Sequence, residues 1–230
     1  MGMYKLTTTV VCVLTIFCFG CGEGEMSLND HFQAKLKIEN EIKANGTVTP
    51  EQAEYIAAHH NNGSFGFKGL TSVGWEEVEH ISKFEIIALP EVTSISGYVA
   101  LGVSEAKIVT LPSLTSIDDK AAENLGHLNR SGKWNGSTLL DLRGLTSVTP
   151  RQLARLALGQ NVRILNLSGV TSLTDEHAEI LTRGKQRDQD ISFTGLTSLT
   201  EEQAEILSRS ISRVFVPEEF KPLIDKYKKQ

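Results

Sequence analysis

The chain has 230 residues, a formal net charge of −5, 22% charged side chains and 7% aromatic ones. An acidic chain lacks the basic footprint that general nucleic-acid binding needs. So few aromatics suit ladders of aliphatic side chains better than a deep ligand barrel, and one domain accounts for the length.

Residues 1–21 read as an export signal. Lys5 is the only charged side chain ahead of an apolar run from about Leu6 to Gly20, a run too short to span a bilayer comfortably. All three cysteines, Cys12, Cys18 and Cys21, lie here, so a mature chain has none for a disulfide. Gly20-Cys21 resembles a bacterial lipobox, whose cysteine is lipidated after cleavage, although Cys18 and Phe19 stand where Leu and a small residue are usual. That resemblance implies a membrane anchor on Cys21, and Gly22 after the cysteine points to the outer membrane. Each buried CH₂ of an acyl chain contributes about 0.8 kcal/mol. Plain cleavage, giving a secreted or periplasmic protein, and an uncleaved anchor are the other two fates. Cleavage after Gly20 removes Lys5 and takes the side-chain charge from −5 to −6.

Residues 22–46 are expected to be a tether (Gly22 to Glu25) and an N-terminal cap. Leu28, Phe32, Leu36, Ile38 and Ile42 predict a helix or irregular cover over the open edge of the first structural repeat, and Asn45-Gly46 ends it. Thr49-Pro50-Glu51-Gln52 is a capping box with Pro at the first helical position. His59-His60 closes that helix and is the only adjacent pair among six histidines. Neighbours along a helix do not face the same way, so a cation at a helix C-terminus explains the pair better than a metal site.

Gly69-Leu70-Thr71-Ser72-Val73 then returns, slightly altered, from Glu91, Ser113, Gly144, Gly169 and Gly195, at spacings of 22, 22, 31, 25 and 26 residues. A period in the twenties marks stacked supersecondary units. Ahead of each copy stands an apolar-x-apolar pair: Phe65/Phe67, Ile87/Leu89, Val109/Leu111, Leu140/Leu142, Leu165/Leu167 and Ile191/Phe193, with Val214/Val216 as a seventh. A spacing of two is a short strand with one buried face. After the motif the period becomes helical: Leu153, Leu156 and Ala157; Ala178 and Leu181; Ala204 and Leu207. Thr149-Pro150-Arg151-Gln152 and Thr200-Glu201-Glu202-Gln203 repeat the capping box, and Asp175, Glu176, Glu201 and Glu202 complement the helix dipole. Strands joined through crossovers must pair in parallel. The spacing places Leu165 over Leu140 and under Ile191.

The stretch Leu165-Asn166-Leu167-Ser168-Gly169-Val170-Thr171-Ser172-Leu173-Thr174-Asp175 resembles leucine-rich repeat proteins, in particular the cysteine-containing subclass, with Val or Leu in the Cys place. The resemblance covers about residues 63–216. It implies an α/β fold: a right-handed solenoid over 47–216, with parallel strands on the concave side and short helices or turns on the convex side. The shorter Glu91 and Ser113 copies leave helix and turn both open. Residues 217–230 are read as a C-terminal cap and tail: Pro217 stops the last strand, Phe220, Leu223, Ile224 and Tyr227 fold back, and Lys226, Lys228 and Lys229 are solvated.

If Leu165 and Leu167 point in, strand alternation turns Ile164, Asn166 and Ser168 to the outer side of the sheet, and two columns follow from the last two. One is Gly66, Ala88, Thr110, Asp141, Asn166, Ser192 and Phe215; the next is Lys68, Pro90, Pro112, Arg143, Ser168, Thr194 and Pro217. Asp141, Arg143, Asn166, Ser168, Ser192 and Thr194 form a polar half able to bind a protein or glycan ligand. The 31-residue spacing carries a loop, Gly126 to Ser137, with an exposed-looking Trp134 that serves either as a contact element or as cover for a poorly packed edge. Five Asn-x-Ser/Thr sequons (Asn45, Asn62, Asn129, Asn135, Asn166) matter only in a eukaryotic secretory pathway. No H-E-x-x-H, CxxC, Walker loop or G-x-S-x-G occurs, and paired carboxylates such as Asp118-Asp119 fall at helix starts. The reading is a non-catalytic, cofactor-free binding module of the bacterial cell envelope. The alternatives are a structural spacer lipoprotein without a specific ligand and, behind it, an enzyme.

Overall fold

A computed structural model describes residues 27–59, 63–159, 161–183, 189–210 and 212–228. Cys12, Cys18, Cys21, His60, Asn62 and Lys229 lie outside them. The chain divides into two compact units, Met1–Ala34 and Lys35–Gln230. Of the first, the described part is the start of helix α1 (Leu28–Asn45). There the Asp30 carboxylate accepts from the Ser27 backbone N–H at 3.3 Å, and the Ser27 hydroxyl accepts from the Asp30 N–H at 3.2 Å, a reciprocal cap. Phe32 is 60% exposed.

The second unit alternates helices with the strands of one parallel sheet. Its elements are α2 (Pro50–His59), β1 (Ser64–Phe65), α3 (Trp75–Ile81), β2 (Ile86–Ala88), α4 (Gly97–Val103), β3 (Ile108–Thr110), α5 (Asp119–Leu125), β4 (Leu139–Asp141), α6 (Pro150–Ala157), β5 (Ile164–Asn166), α7 (Asp175–Thr182), β6 (Asp190–Ser192), α8 (Glu201–Ser208), β7 (Arg213–Phe215), a 3₁₀ turn (Glu218–Phe220) and α9 (Lys221–Lys228). The seven strands lie in chain order, each parallel to the next. Register follows the apolar ladder: Phe65, Ile87, Val109, Leu140, Leu165, Ile191 and Val214 are successive Cα partners. All but the terminal Val214 are buried, as is the second column Leu89, Leu111, Leu142, Leu167 and Phe193. The two short repeats carry helices, α4 and α5. Ser96 and Asp118 supply side-chain caps, accepting from Val99 and Ala121 N–H, and a 22-residue repeat leaves room for a helix of seven residues.

The repeated motif is a contact between neighbouring coils. A Cβ on Gly144, Gly169 or Gly195 would collide with the carbonyl oxygen of Pro112, Arg143 or Ser168, one coil earlier. In the two degenerate copies a side chain bonds across instead: the Glu91 carboxylate accepts from Gly69 N–H at 3.0 Å, and the Ser113 hydroxyl donates to Pro90 O at 2.6 Å. The motif threonines reach back as well. Thr115, Thr171 and Thr197 N–H donate to the carbonyls of Thr93, Thr146 and Thr171 at 3.1, 3.3 and 2.9 Å.

At the first repeat there is no earlier threonine, and Gly46 takes its place. Its carbonyl accepts from Thr71 N–H at 2.8 Å and from the Thr71 hydroxyl at 3.0 Å. Its φ of +74° is the left-handed conformation that favours glycine after a helix. The α1–Gly46–α2 segment therefore acts as a coil without a strand. Ile42 is buried and Ile38 packs against the core, whereas Leu36 is exposed. Leu36, expected in the cover, therefore has no such role: the core is met by the C-terminal turns of α1. At the other end Ile224 is buried, and Phe220, Leu223 and Tyr227 pack against the core. Lys226 and Lys228 belong to a regular helix, not to a tail. Lys226 Nζ lies 3.4 Å from the Glu201 carboxylate, and Lys228 Nζ 3.5 Å from that of Asp225.

A polar ladder runs beside the apolar ones. Gln152 and Gln203 close capping boxes with Thr149 and Thr200. Their amide groups then donate one coil back, Gln152 to Ile117 O at 2.8 Å and Gln203 to Leu173 O at 3.0 Å. His177 does the same on α7. Its Nδ1 accepts from Thr174 N–H at 3.0 Å and its Nε2 pairs with Val148 O at 2.9 Å. That pattern requires a neutral ring with its proton on Nε2.

Leu165 is flanked by rungs on both sides, so Leu165→Ala should leave a cavity and lower unfolding free energy in urea by about 2–5 kcal/mol. His177→Gln should melt within a few degrees of the wild type because glutamine already makes these bonds in α6 and α8. His177→Ala should lose about 1–3 kcal/mol, since Val148 O and Thr174 N–H lose their partner.

Candidate functional site

Pairing of β3 through β7 sets Thr110, Asp141, Asn166, Ser192 and Phe215 in adjacent register on the face turned away from the core. Asp141 is nonetheless only 4% exposed. Arg143 covers it: Arg143 Nε lies 2.9 Å and Nη2 2.5 Å from Asp141 Oδ2, and Arg143 N–H donates to Oδ1 at 3.2 Å. These bonds, with the charge behind them, raise the Arg143 guanidinium above its ordinary value. Asn166 repeats the backbone part of the arrangement, its Oδ1 accepting from Ser168 N–H at 3.0 Å. Both are side chains bonded to backbone two residues on, the geometry that bends a chain out of a strand. Asp141 and Asn166 thus terminate their strands. Arg143, well exposed, and the half-buried Ser168 and Ser192 with exposed Thr194 are the groups turned toward solvent.

A third outward column stands beside these two; strand alternation turns its member Ile164 outward, but the column as a whole is not drawn from the sequence. Ile86, Ile108, Leu139 and Ile164 are successive Cα partners. They are neighbours of the buried rungs and point the other way. All are half-buried or exposed, Ile164 to 36%. The column continues as Asp190 and Arg213, joined by bonds of 2.6 and 2.9 Å. Aliphatic residues at two consecutive strand positions, as in Ile86-Ile87, are the available signal. The outward face is therefore an aliphatic stripe beside a polar column, with Phe215 43% exposed at its end.

Trp134 does not join this set. Rather than an exposed tip, it is half-buried and held at three points. Its indole N–H donates to Glu105 O at 3.2 Å, its backbone N–H to Asn129 Oδ1 at 3.0 Å, and its carbonyl accepts from Asn129 Nδ2 at 2.7 Å. Asn129 is buried with φ of +51°, and Lys133 Nζ sits 4.3 Å from the indole centroid. Trp134 clamps the insertion to the chain just ahead of β3. Arg143 and Ser168 lie past the opposite ends of their strands. His59 is the last residue of α2, with Nδ1 2.9 Å from Tyr55 O and its ring stacked on Tyr55 at 4.3 Å.

Among the described residues no group of three or more His, Cys, Asp or Glu side chains is placed to hold a metal ion. No described helix is long and apolar enough to cross a membrane. A scan against protein-family models finds no match, and neither does a search of curated proteins.

Proposed function

We propose that the protein is a non-catalytic binding module of the bacterial cell envelope that engages a partner through the outward face of its sheet. The observation that carries this is the aliphatic stripe Ile86, Ile108, Leu139 and Ile164 at the strand starts, flanked two residues on by the column Ala88, Thr110, Asp141 and Asn166, with Arg143 and Ser168 past the strand ends. Apolar side chains flanked by hydrogen-bonding groups are the usual composition of a protein contact surface. The partner is a protein or glycan segment laid across the strands. On this reading the unit is a right-handed leucine-rich repeat solenoid with the sheet concave, in keeping with the hand of about 98% of parallel crossover connections. Cys21, lipidated after export, would hold it on the periplasmic side of the outer membrane. A structural spacer is the second reading, and it is favoured by the local use of Asp141 and Asn166, whose oxygens are occupied by Arg143 and Ser168 N–H.

The two readings separate when the stripe is changed and the strand terminators are left alone. Ile108→Arg with Ile164→Arg should keep the melting temperature within a few degrees and abolish the capture of envelope partners that the wild-type chain achieves. Equal capture by both chains would remove the face from consideration. Intact mass spectrometry of the membrane fraction should show a mature chain beginning at Cys21 with added acyl mass, and Cys21→Ser should move the protein to the soluble fraction.

A further inference from the structure

The repeat serves as its own control, because each coil shows what the position needs structurally. At the first two helical positions five coils carry Pro or a charged residue: Pro50 and Glu51, Asp119 and Lys120, Pro150 and Arg151, Asp175 and Glu176, Glu201 and Glu202. The two coils of α3 and α4 depart from this pattern, α3 at its first position only, since Glu76 follows, and α4 at both. They carry Trp75 and Tyr98, which are 69% and 78% exposed. Glycine stands beside each. Gly74 replaces the capping residue of α3 and leaves that helix without a side-chain cap. Gly97 opens α4, where a Cβ would meet Lys120 Cγ at 2.7 Å.

These departures border an open cleft of about 460 Å³ lined by Val73, Gly74, Trp75, Ser96, Tyr98 and Val99. The volume is that of a small-molecule site, for which about 300–1,000 Å³ is usual, and none of the six lining residues is charged. Two polar groups border it. Ser96 Oγ accepts from Val99 N–H at 3.3 Å, a bond that leaves its own hydroxyl proton unused. The Glu77 carboxylate folds over Gly74 so closely that a Cβ there would collide with it. The cleft thus offers two exposed aromatic rings and one hydroxyl donor, with the Glu77 carboxylate beside its Gly74 wall.

We propose that this cleft binds a neutral saccharide. A sugar ring presents flat C–H faces to aromatic rings and hydroxyl groups at its rim to donors and acceptors. An acidic ligand would meet Glu77, and Lys120, whose stem lies against Gly97, has its Nζ 3.5 Å from the Glu123 carboxylate. The cleft follows the motif in two coils and shares no residue with the sheet face, so it stands or falls independently of the envelope-partner reading.

The test is calorimetric titration of the mature chain with chitohexaose, cellohexaose and maltohexaose. At least one should bind, and Trp75→Ala with Tyr98→Ala should weaken it by about tenfold or more, the loss expected on removing two stacking rings. The melting temperature should be unchanged because both rings are largely exposed. Trp75→Phe with Tyr98→Phe should retain most of the binding, and the Ile108→Arg, Ile164→Arg chain should bind the sugar like the wild type. Failure of all three sugars to bind the wild type would overturn the proposal. So would equal binding by the alanine variant, or binding of a decaproline peptide in place of the sugars.

Discussion

Glycine and threonine in the motif hold one coil against the next, and the rest of the unit depends on that contact. Strands of three residues and helices of seven or eight bury too little to persist alone. They become stable when each carbonyl column accepts from the next coil along, as Thr146 O does from Thr171 N–H and Thr171 O from Thr197 N–H. The close approach leaves no room for a Cβ at Gly144, Gly169 and Gly195. With the backbones locked at this distance, the side chains of Leu140, Leu165 and Ile191 have one register available, and the apolar ladder results from it. Gly46 shows that the contact outranks the strand. The first repeat is closed by a carbonyl in the motif's place although no strand precedes it.

This dependence explains which features are legible in the amino-acid sequence. Whatever repeats from coil to coil is readable, since periodicity reports the same contact several times: the strand columns and the capping boxes of Thr149 and Thr200. Features made once are not. Clamping of Trp134 onto Glu105 O, 29 residues earlier, has no periodic signature. The extent of α1 in contact with the core is equally hidden, because helical periodicity names a face but not where that face stops touching its neighbour. His177 escapes for a chemical reason. A capping box is sought as Glu or Gln, yet a neutral imidazole offers the same acceptor and donor pair.

The candidate surface is half legible. Alternation correctly turns Asp141, Asn166 and Ser192 away from the core, but outward direction is not availability. Asp141 and Asn166 sit where strands end, and a carboxylate or amide at such a place binds the backbone two residues on before it binds anything else. Alternation turns Ile164 outward too, but the aliphatic stripe through it escapes because a doubly apolar strand reads simply as buried on both faces. Polar residues that look like a site thus serve the fold, and apolar ones that look like core are open to a partner.

A repeat unit also permits a distinction that a single globular domain does not. Positions where all coils agree are those the stacking contact requires, so a position where two coils disagree has been released from that requirement. The sheet face shows gradual variation from apolar to polar along one column, which stacking tolerates. The starts of α3 and α4 show something sharper. A helix cap is given up at Gly74 and two large rings are left in water at Trp75 and Tyr98, each of which is unfavourable for the isolated chain. The exposed rings fall on two adjacent coils and the lost cap on one of them, α3, since Ser96 still caps α4. Packing within the unit does not cover these rings, and the proposed saccharide is what would cover them.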